Sequence, residues 1–331
     1  MAASDQSLTR PRRSVDMRAD LAWAELPSPI LTASGCAAAG RELDRFFDIT
    51  KIGAVVTKSI MVEPRSGRAT PRMAETPSGM LNSIGLQGPG IEHFITKDLA
   101  WLLQRGARVV VSIAGGSVNE YAALANRLRH EQGISAIEVN ISCPNVEDRG
   151  QVFACDPRAA AAVVGAVRRH SNASMPVFAK LSPDVTSIVD VAAACVSAGA
   201  DGLSVINTAL GMVIDTQTMR PQLAGVTGGL SGPAIRPIAV RCVWQIRQAL
   251  PDVPILGMGG IITGLDALQF LLAGANAVSV GTAVFNDPSA PLRIHRELEV
   301  ALADRDFGRL RDAVSFAHRR DEVSHLLRGR S

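Results

Sequence analysis

Cysteine is scarce and unpatterned in this chain. Its five copies (Cys36, Cys143, Cys155, Cys195 and Cys242) are odd in number, and no two form a CxxC pair. That argues against a disulfide framework and against a zinc or iron–sulfur site within the chain, and it suits free thiols in a reducing, cytoplasmic compartment. Long apolar runs are missing too, so no segment is expected to cross a bilayer. The first 20 residues, MAASDQSLTRPRRSVDMRAD, lack the apolar stretch of a signal peptide. They are read as a polar, disordered tail preceding one domain over 21–331, with Arg10, Arg12 and Arg13 as solvated charges rather than a targeting arm. Charge of one sign is lacking as well: 34 basic against 31 acidic residues give a net +3, no footprint for nucleic acid. No GxGxxG follows an early strand, so a nicotinamide site of the Rossmann kind is not indicated.

What is present is a long, well-mixed globular composition, 47% hydrophobic over 331 residues, enough to bury a large core without cross-links. Short aliphatic runs recur at Pro29–Ala33, Ala54–Lys58, Arg108–Ile113, Ala136–Asn140, Val177–Leu181, Gly202–Asn207, Val253–Gly257 and Ala277–Gly281. Amphipathic helices are expected between the later runs, at Pro157–Arg169, Ser187–Ala198, Arg236–Ala249 and Leu265–Ala273. Continuous apolar strands alternating with helices predict a buried parallel sheet, and eight of them predict closure into an α/β (β/α)8 TIM barrel. Two stretches are too long for ordinary connections: Met61–Gly90, an excursion after strand 2, and Thr208–Gly232. The tail from about Leu292 reads as one or two helices outside the barrel.

Polar residues finish several of these apolar runs: Lys58, Asn140, Lys180 and Asn207. Any one alone reads as a loop-stabilising cap. Four at strand ends should converge on the C-terminal rim, where this fold builds its sites. Runs seven and eight lead into Gly257-Met258-Gly259-Gly260 and Gly281-Thr282, a place where backbone N–H groups can cradle a phosphate. The segment Asn140-Ile141-Ser142-Cys143-Pro144-Asn145 sets a thiol among hydrogen-bonding side chains on that rim. Cys36, Cys155, Cys195 and Cys242 read as small buried hydrophobes. Cys143 differs, because a thiol titrating near about 8.5 can accept a proton once its surroundings favour the thiolate.

The motifs NISCPN (140–145), MLNSIGLQGPG (80–90), TASGC (32–36) and TGGLSGPA (227–234) resemble those of class 1 dihydroorotate dehydrogenases, in register from about Ala22 to Pro288. The last is most like the class 1B catalytic subunit. Cys143 stands where class 2 members carry serine. The resemblance implies FMN over the barrel mouth, its phosphate held by Gly259, Gly260, Gly281 and Thr282 with Gly232 nearby. It implies further flavin contacts from Ser34, Lys58, Ser59, Ser112, Asn140, Lys180 and Ile206. Substrate would be gripped by Lys58, Asn82, Ser83, Ile84, Gly85, Leu86, Asn140, Asn145, Asn207 and Thr208. Cys143 would take the C5 proton of dihydroorotate while hydride leaves C6 for the flavin, with Lys180 and Lys58 as further catalytic residues. No metal is implied.

The resemblance also implies a homodimeric core, or a heterotetramer with a subunit carrying FAD and a 2Fe–2S cluster through which NAD+ takes the electrons. Three departures from the family pattern stand out. Ser112 replaces a usual Asn, Ala37–Ala39 replaces an aromatic, Gly-containing stretch, and Gly88 replaces an Asn. The competing readings are a tRNA-dihydrouridine synthase, a class 1 homodimer using a soluble acceptor such as fumarate, an aldolase with Lys180 as Schiff-base lysine, and a non-catalytic scaffold. The first would need a basic helical extension longer than the last 40 residues, and the aldolase leaves Cys143 and the asparagines without a purpose.

Overall fold

Each of the eight apolar runs forms a strand in the computed structural model, which describes residues 14–21, 24–141 and 153–319. The strands are β1 (Ile30–Thr32), β2 (Val55–Val56), β3 (Val109–Ile113), β4 (Ile134–Asn140), β5 (Val177–Leu181), β6 (Gly202–Val205), β7 (Ile255–Met258) and β8 (Ala277–Val280). All pairings are parallel, in the order β1-β8-β7-β6-β5-β4-β3-β2. A bridge between Leu31 and Ala54 closes β1 onto β2. The Thr32 hydroxyl locks that seam, donating to the Val56 carbonyl at 3.2 Å and accepting from the Val56 N–H at 2.9 Å.

Every residue of β3, β5, β6, β7 and β8 is buried, which is why these strands read as unbroken apolar runs rather than as alternation. The interior is packed with side chains: a Cβ on Gly202 would sit 2.4 Å from the Phe178 ring, so glycine on one strand makes room for phenylalanine on the next. The outer helices start and stop on ordinary signals. Pro157–His170 opens with Asp156 accepting from the Arg158 N–H at 2.8 Å, and Gly264–Ala273 opens with a Thr263/Asp266 capping box and ends at Gly274 in the left-handed region. Helices Ile188–Ser197 and Arg236–Ala249 fall where the periodicity put them. Ala290–Ala303 and Leu310–Ala313 form the expected outer C-terminal helices.

Residues 14–20 correct the expectation of a tail over 1–20. Val15, Met17, Ala19 and Leu21 are buried, and Ala19–Leu21 pairs antiparallel with Ala24–Leu26 as a hairpin just before β1. The segment is also stitched to the C-terminal region, the Asp16 N–H donating to the Gly308 carbonyl at 3.0 Å and the Leu310 N–H to the Asp16 carbonyl at 2.9 Å. Apolar burial at alternate positions overrides the polar composition there.

The two long excursions are not separate loops. Met73–Thr76 and Gly79–Asn82 from the first pair with Gly228–Ser231 and Ala209–Gly211 from the second, giving a four-stranded antiparallel sheet. Asn82 faces Gly229 in this register, and its amide donates to the Gly229 carbonyl at 3.3 Å. A Cβ on Gly229 would lie 2.1 Å from the Thr208 hydroxyl oxygen, so the close approach of the second excursion to its own start needs glycine. Together the excursions form one cap beside the C-terminal ends of the strands.

Candidate active site

Between cap and barrel lies a cavity of about 320 Å³, in the range that holds a small organic ligand. Lys58, Asn140, Lys180 and Asn207 all line it, with Ser34, Ser59 and Ile206 beside them and Asn82, Ile84, Leu86 and Thr208 from the excursions. Four strand ends therefore bring their polar residues to one mouth, because the C-terminal edge of a parallel barrel is where the chain leaves the packed interior.

A continuous hydrogen-bonded chain fixes these side chains. The Ser112 and Ser59 hydroxyls lie 2.9 Å apart, and the Asn140 amide donates to the Ser59 oxygen at 3.0 Å. On its other side the Asn140 carbonyl oxygen accepts from the Asn207 amide at 3.3 Å. Asn140 is thus held in one orientation, as a cavity-lining amide would need to be to read a ligand. The Tyr121 hydroxyl donates to the Asn140 backbone carbonyl at 2.8 Å, bracing the strand end from behind. Lys180, 4% exposed, donates from Nζ to the Ser34 hydroxyl at 2.8 Å. A second cation, Lys58, is fixed through its backbone, its N–H donating to the Ala38 carbonyl at 2.9 Å.

The opposite end of the cavity is glycine backbone. Gly232, Gly259 and Gly260 have φ of 90°, 131° and 74°, and a Cβ on Gly260 would sit 2.6 Å from the Gly232 carbonyl oxygen. Thr282 follows Gly281 at the end of β8, its hydroxyl donating to Ser231 at 2.9 Å. The Arg236 guanidinium lies alongside, donating to the Gly260 carbonyl at 3.2 Å and pairing with Asp266. Such a bare backbone surface next to a cation is the chemistry a phosphate monoester requires.

Not every expected contact reaches the cavity. Ser112 is wholly buried and spends its hydroxyl on Ser59, so it braces Ser59 from outside the cavity lining. Ser83 is buried with its hydroxyl toward Gly225, and Gly85, at φ 77°, lies against the Arg68 backbone; neither lines the cavity. Cys143 and Asn145 lie outside the described residues. In the other direction, Cys36 and Ser231 line the cavity although the sequence reading assigned neither a contact. Both sit within motifs already singled out, TASGC and TGGLSGPA, which was the available signal. Burial pushes the Cys36 thiol up to about 11, against the pull of Lys180 and Lys58, so it is a neutral wall rather than a base near pH 7. Among the described residues no helix is long and apolar enough to cross a membrane, and no three metal-ligating side chains cluster.

A family model described as dihydroorotate dehydrogenase matches residues 17–302. A protein of Geotalea daltonii named dihydroorotate dehydrogenase B (NAD(+)), catalytic subunit, is 49% identical over 299 residues, 90% of this chain and 97% of its own length. A Geobacter protein (strain M21) of the same name is 50% identical over 291 residues, 88% of this chain and 94% of its own. One from Geobacter sulfurreducens is 48% identical over 299 residues, with 90% and 97% covered. The match spans the barrel, the cap and every cavity residue named above, and the chain belongs to the dihydroorotate dehydrogenase family.

Proposed function

We propose that this chain oxidises dihydroorotate to orotate at the barrel mouth, using bound FMN, as a step of pyrimidine biosynthesis in the cytoplasm. The observation that carries the reading is the convergence of Lys58, Asn140, Lys180 and Asn207 on one cavity whose far end is a glycine cradle. The cradle fits FMN: Gly259, Gly260 and Gly281 would hold its phosphate, with Thr282 and Gly232 beside them. Lys180, Ser34, Ser59 and Ile206 would meet the ring. When bound, FMN supplies the acceptor for the hydride, which carries both electrons of the oxidation.

The chain's own residues do the rest. The Lys58 ammonium pairs with the substrate carboxylate, and the Asn140, Asn207 and Asn82 amides present donors and acceptors to the pyrimidine ring. Cys143 takes the C5 proton as thiolate, and Asn145 closes the grip on the ring; both assignments rest on the NISCPN motif. Lys180 would set its positive charge beside the bound flavin ring, offsetting the negative charge left there once hydride has passed from C6. The chain has no nucleotide fingerprint or cysteine array of its own, so NAD+ would be reduced through a partner subunit carrying FAD and a 2Fe–2S cluster, on a homodimeric core of this chain. The relatives' names, with NAD(+) and catalytic subunit, support the acceptor and a partner subunit, while the FAD, the cluster and the homodimeric core rest on the resemblance.

Anaerobic mixing with dihydroorotate, followed by flavin absorbance, tests the reading. Rapid bleaching of bound flavin, nearly abolished at neutral pH in Cys143→Ala, is the expected result. A yellow protein that dihydroorotate cannot bleach overturns the substrate assignment. Turnover with fumarate by this chain alone would replace the partner subunit with a soluble acceptor.

A further inference from the structure

Glu138 lies in the middle of β4, wholly buried inside the barrel, in a stretch that is otherwise apolar, AIEV. Neither of its carboxylate oxygens has a hydrogen-bond partner among the described residues. Its one ion pair there is with Lys180, whose Nζ stands 3.8 Å from Oε1. Both side chains are almost entirely out of solvent, at 1% and 5% exposure. A carboxylate buried in this way is costly, and an apolar residue of the same size would pack as well. Among the described residues no backbone N–H or hydroxyl sets its orientation, so what remains is its charge.

Lys180 is the complement. Its ammonium is buried, and among the described residues its one hydrogen bond goes to the neutral Ser34 hydroxyl at 2.8 Å. A solvent-excluded ammonium needs a counter-charge, and among the described residues Glu138 is the carboxylate in reach. We infer that Glu138 is a positioning residue: it serves as the fixed counter-ion that holds the Lys180 cation beneath the ring site, acting on the reaction only through Lys180. The inference rests on the proposed role of Lys180 toward FMN, but the ion pair itself can be tested without FMN.

The first arm is a double-variant cycle read by thermal melting of the FMN-free full chain. Lys180→Met strands a buried carboxylate, so it should lower the melting temperature by about 5 °C or more, and adding Glu138→Gln should restore most of the loss. Additive losses in the double variant would overturn the pairing. The second arm uses FMN-loaded protein. Glu138→Gln should slow flavin bleaching by dihydroorotate at least tenfold while leaving the dissociation constant of orotate within twofold, and Glu138→Asp, which keeps the charge, should recover part of the rate. An unchanged bleaching rate, or loss of orotate binding in step with rate, would overturn the positioning role. Should Glu138→Gln fail to fold, Glu138→Asp and the double variant carry both arms. A chain that binds no FMN would refute the proposed function and leave the melting cycle standing as the test of the pair.

Discussion

Ser59 joins two buried polar groups that have to be satisfied, which makes Ser59→Ala an informative perturbation. The change removes one oxygen and adds no bulk, so no clash accompanies it. It takes away the partner of the Ser112 hydroxyl at 2.9 Å and an acceptor of the Asn140 amide at 3.0 Å. Ser59, Ser112 and Asn140 are 6%, 0% and 6% exposed, so bulk water cannot easily replace what is lost. A buried polar group left unsatisfied costs about 1–3 kcal/mol. Two of them should total about 2–6 kcal/mol, a fall in melting temperature of roughly 3–9 °C for a chain of this length.

The same change loosens the hold on Asn140. With one anchor of its amide gone, the carbonyl oxygen is held less firmly toward Asn207, and the pair loses part of the orientation a pyrimidine ring would read. Orotate affinity, titrated against flavin absorbance, should weaken about tenfold, equivalent to about 1.4 kcal/mol. Ser112→Ala is the control: it should destabilise by about half as much and leave orotate affinity within about twofold, since Asn140 keeps its acceptor. A Ser59→Ala protein that melts early but binds orotate like the wild type would refute the claim that this chain orients Asn140.

Gly260→Ala places a Cβ 2.6 Å from the Gly232 carbonyl at a φ of 74°, so FMN affinity should fall by at least about tenfold, measured by fluorescence quenching on reconstitution. Cys36→Ala tests the buried thiol. Because burial raises the folded thiol from 9.0 to about 11, its contribution to stability is whole below pH 9 and is lost as pH climbs towards 11. Urea melts of the FMN-free wild type should therefore lose more stability over that window than melts of the variant. Arg247→Met should destabilise by about 3 kcal/mol or more, seen as a lower urea midpoint, with orotate affinity unchanged. The guanidinium is buried, bonds the Gly274 carbonyl at 2.8 Å and the Asn276 side chain at 2.9 Å, and does not line the cavity.

The barrel was legible because parallel strands are covered on both faces, so VVVSI and VFAKL announce themselves without reference to their neighbours. The cap was not, for the opposite reason. Its strands MAET and GMLN are short and half-exposed, and they become a sheet only by pairing with a segment 147 residues away at Asn82 and Gly229. Nothing local encodes such a partner. The N-terminal hairpin did carry a local signal, the alternation of Val15, Met17, Ala19 and Leu21, which the surrounding arginines and aspartates masked. Glu138 was assigned no role from the sequence, for a more instructive reason. A glutamate between Ile137 and Val139 reads as the solvent face of an amphipathic strand, yet in a closed barrel neither face meets solvent, and the residue turned away from the helices points into the interior. Alternation therefore means something different once closure is known. Inside a barrel it distinguishes the helix-facing core from the layer beneath the mouth, and an ionisable residue in that layer reports on the chemistry above it. By that rule Glu138 belongs with Lys180 and Asn140 as part of the site, although it touches no wall of the cavity.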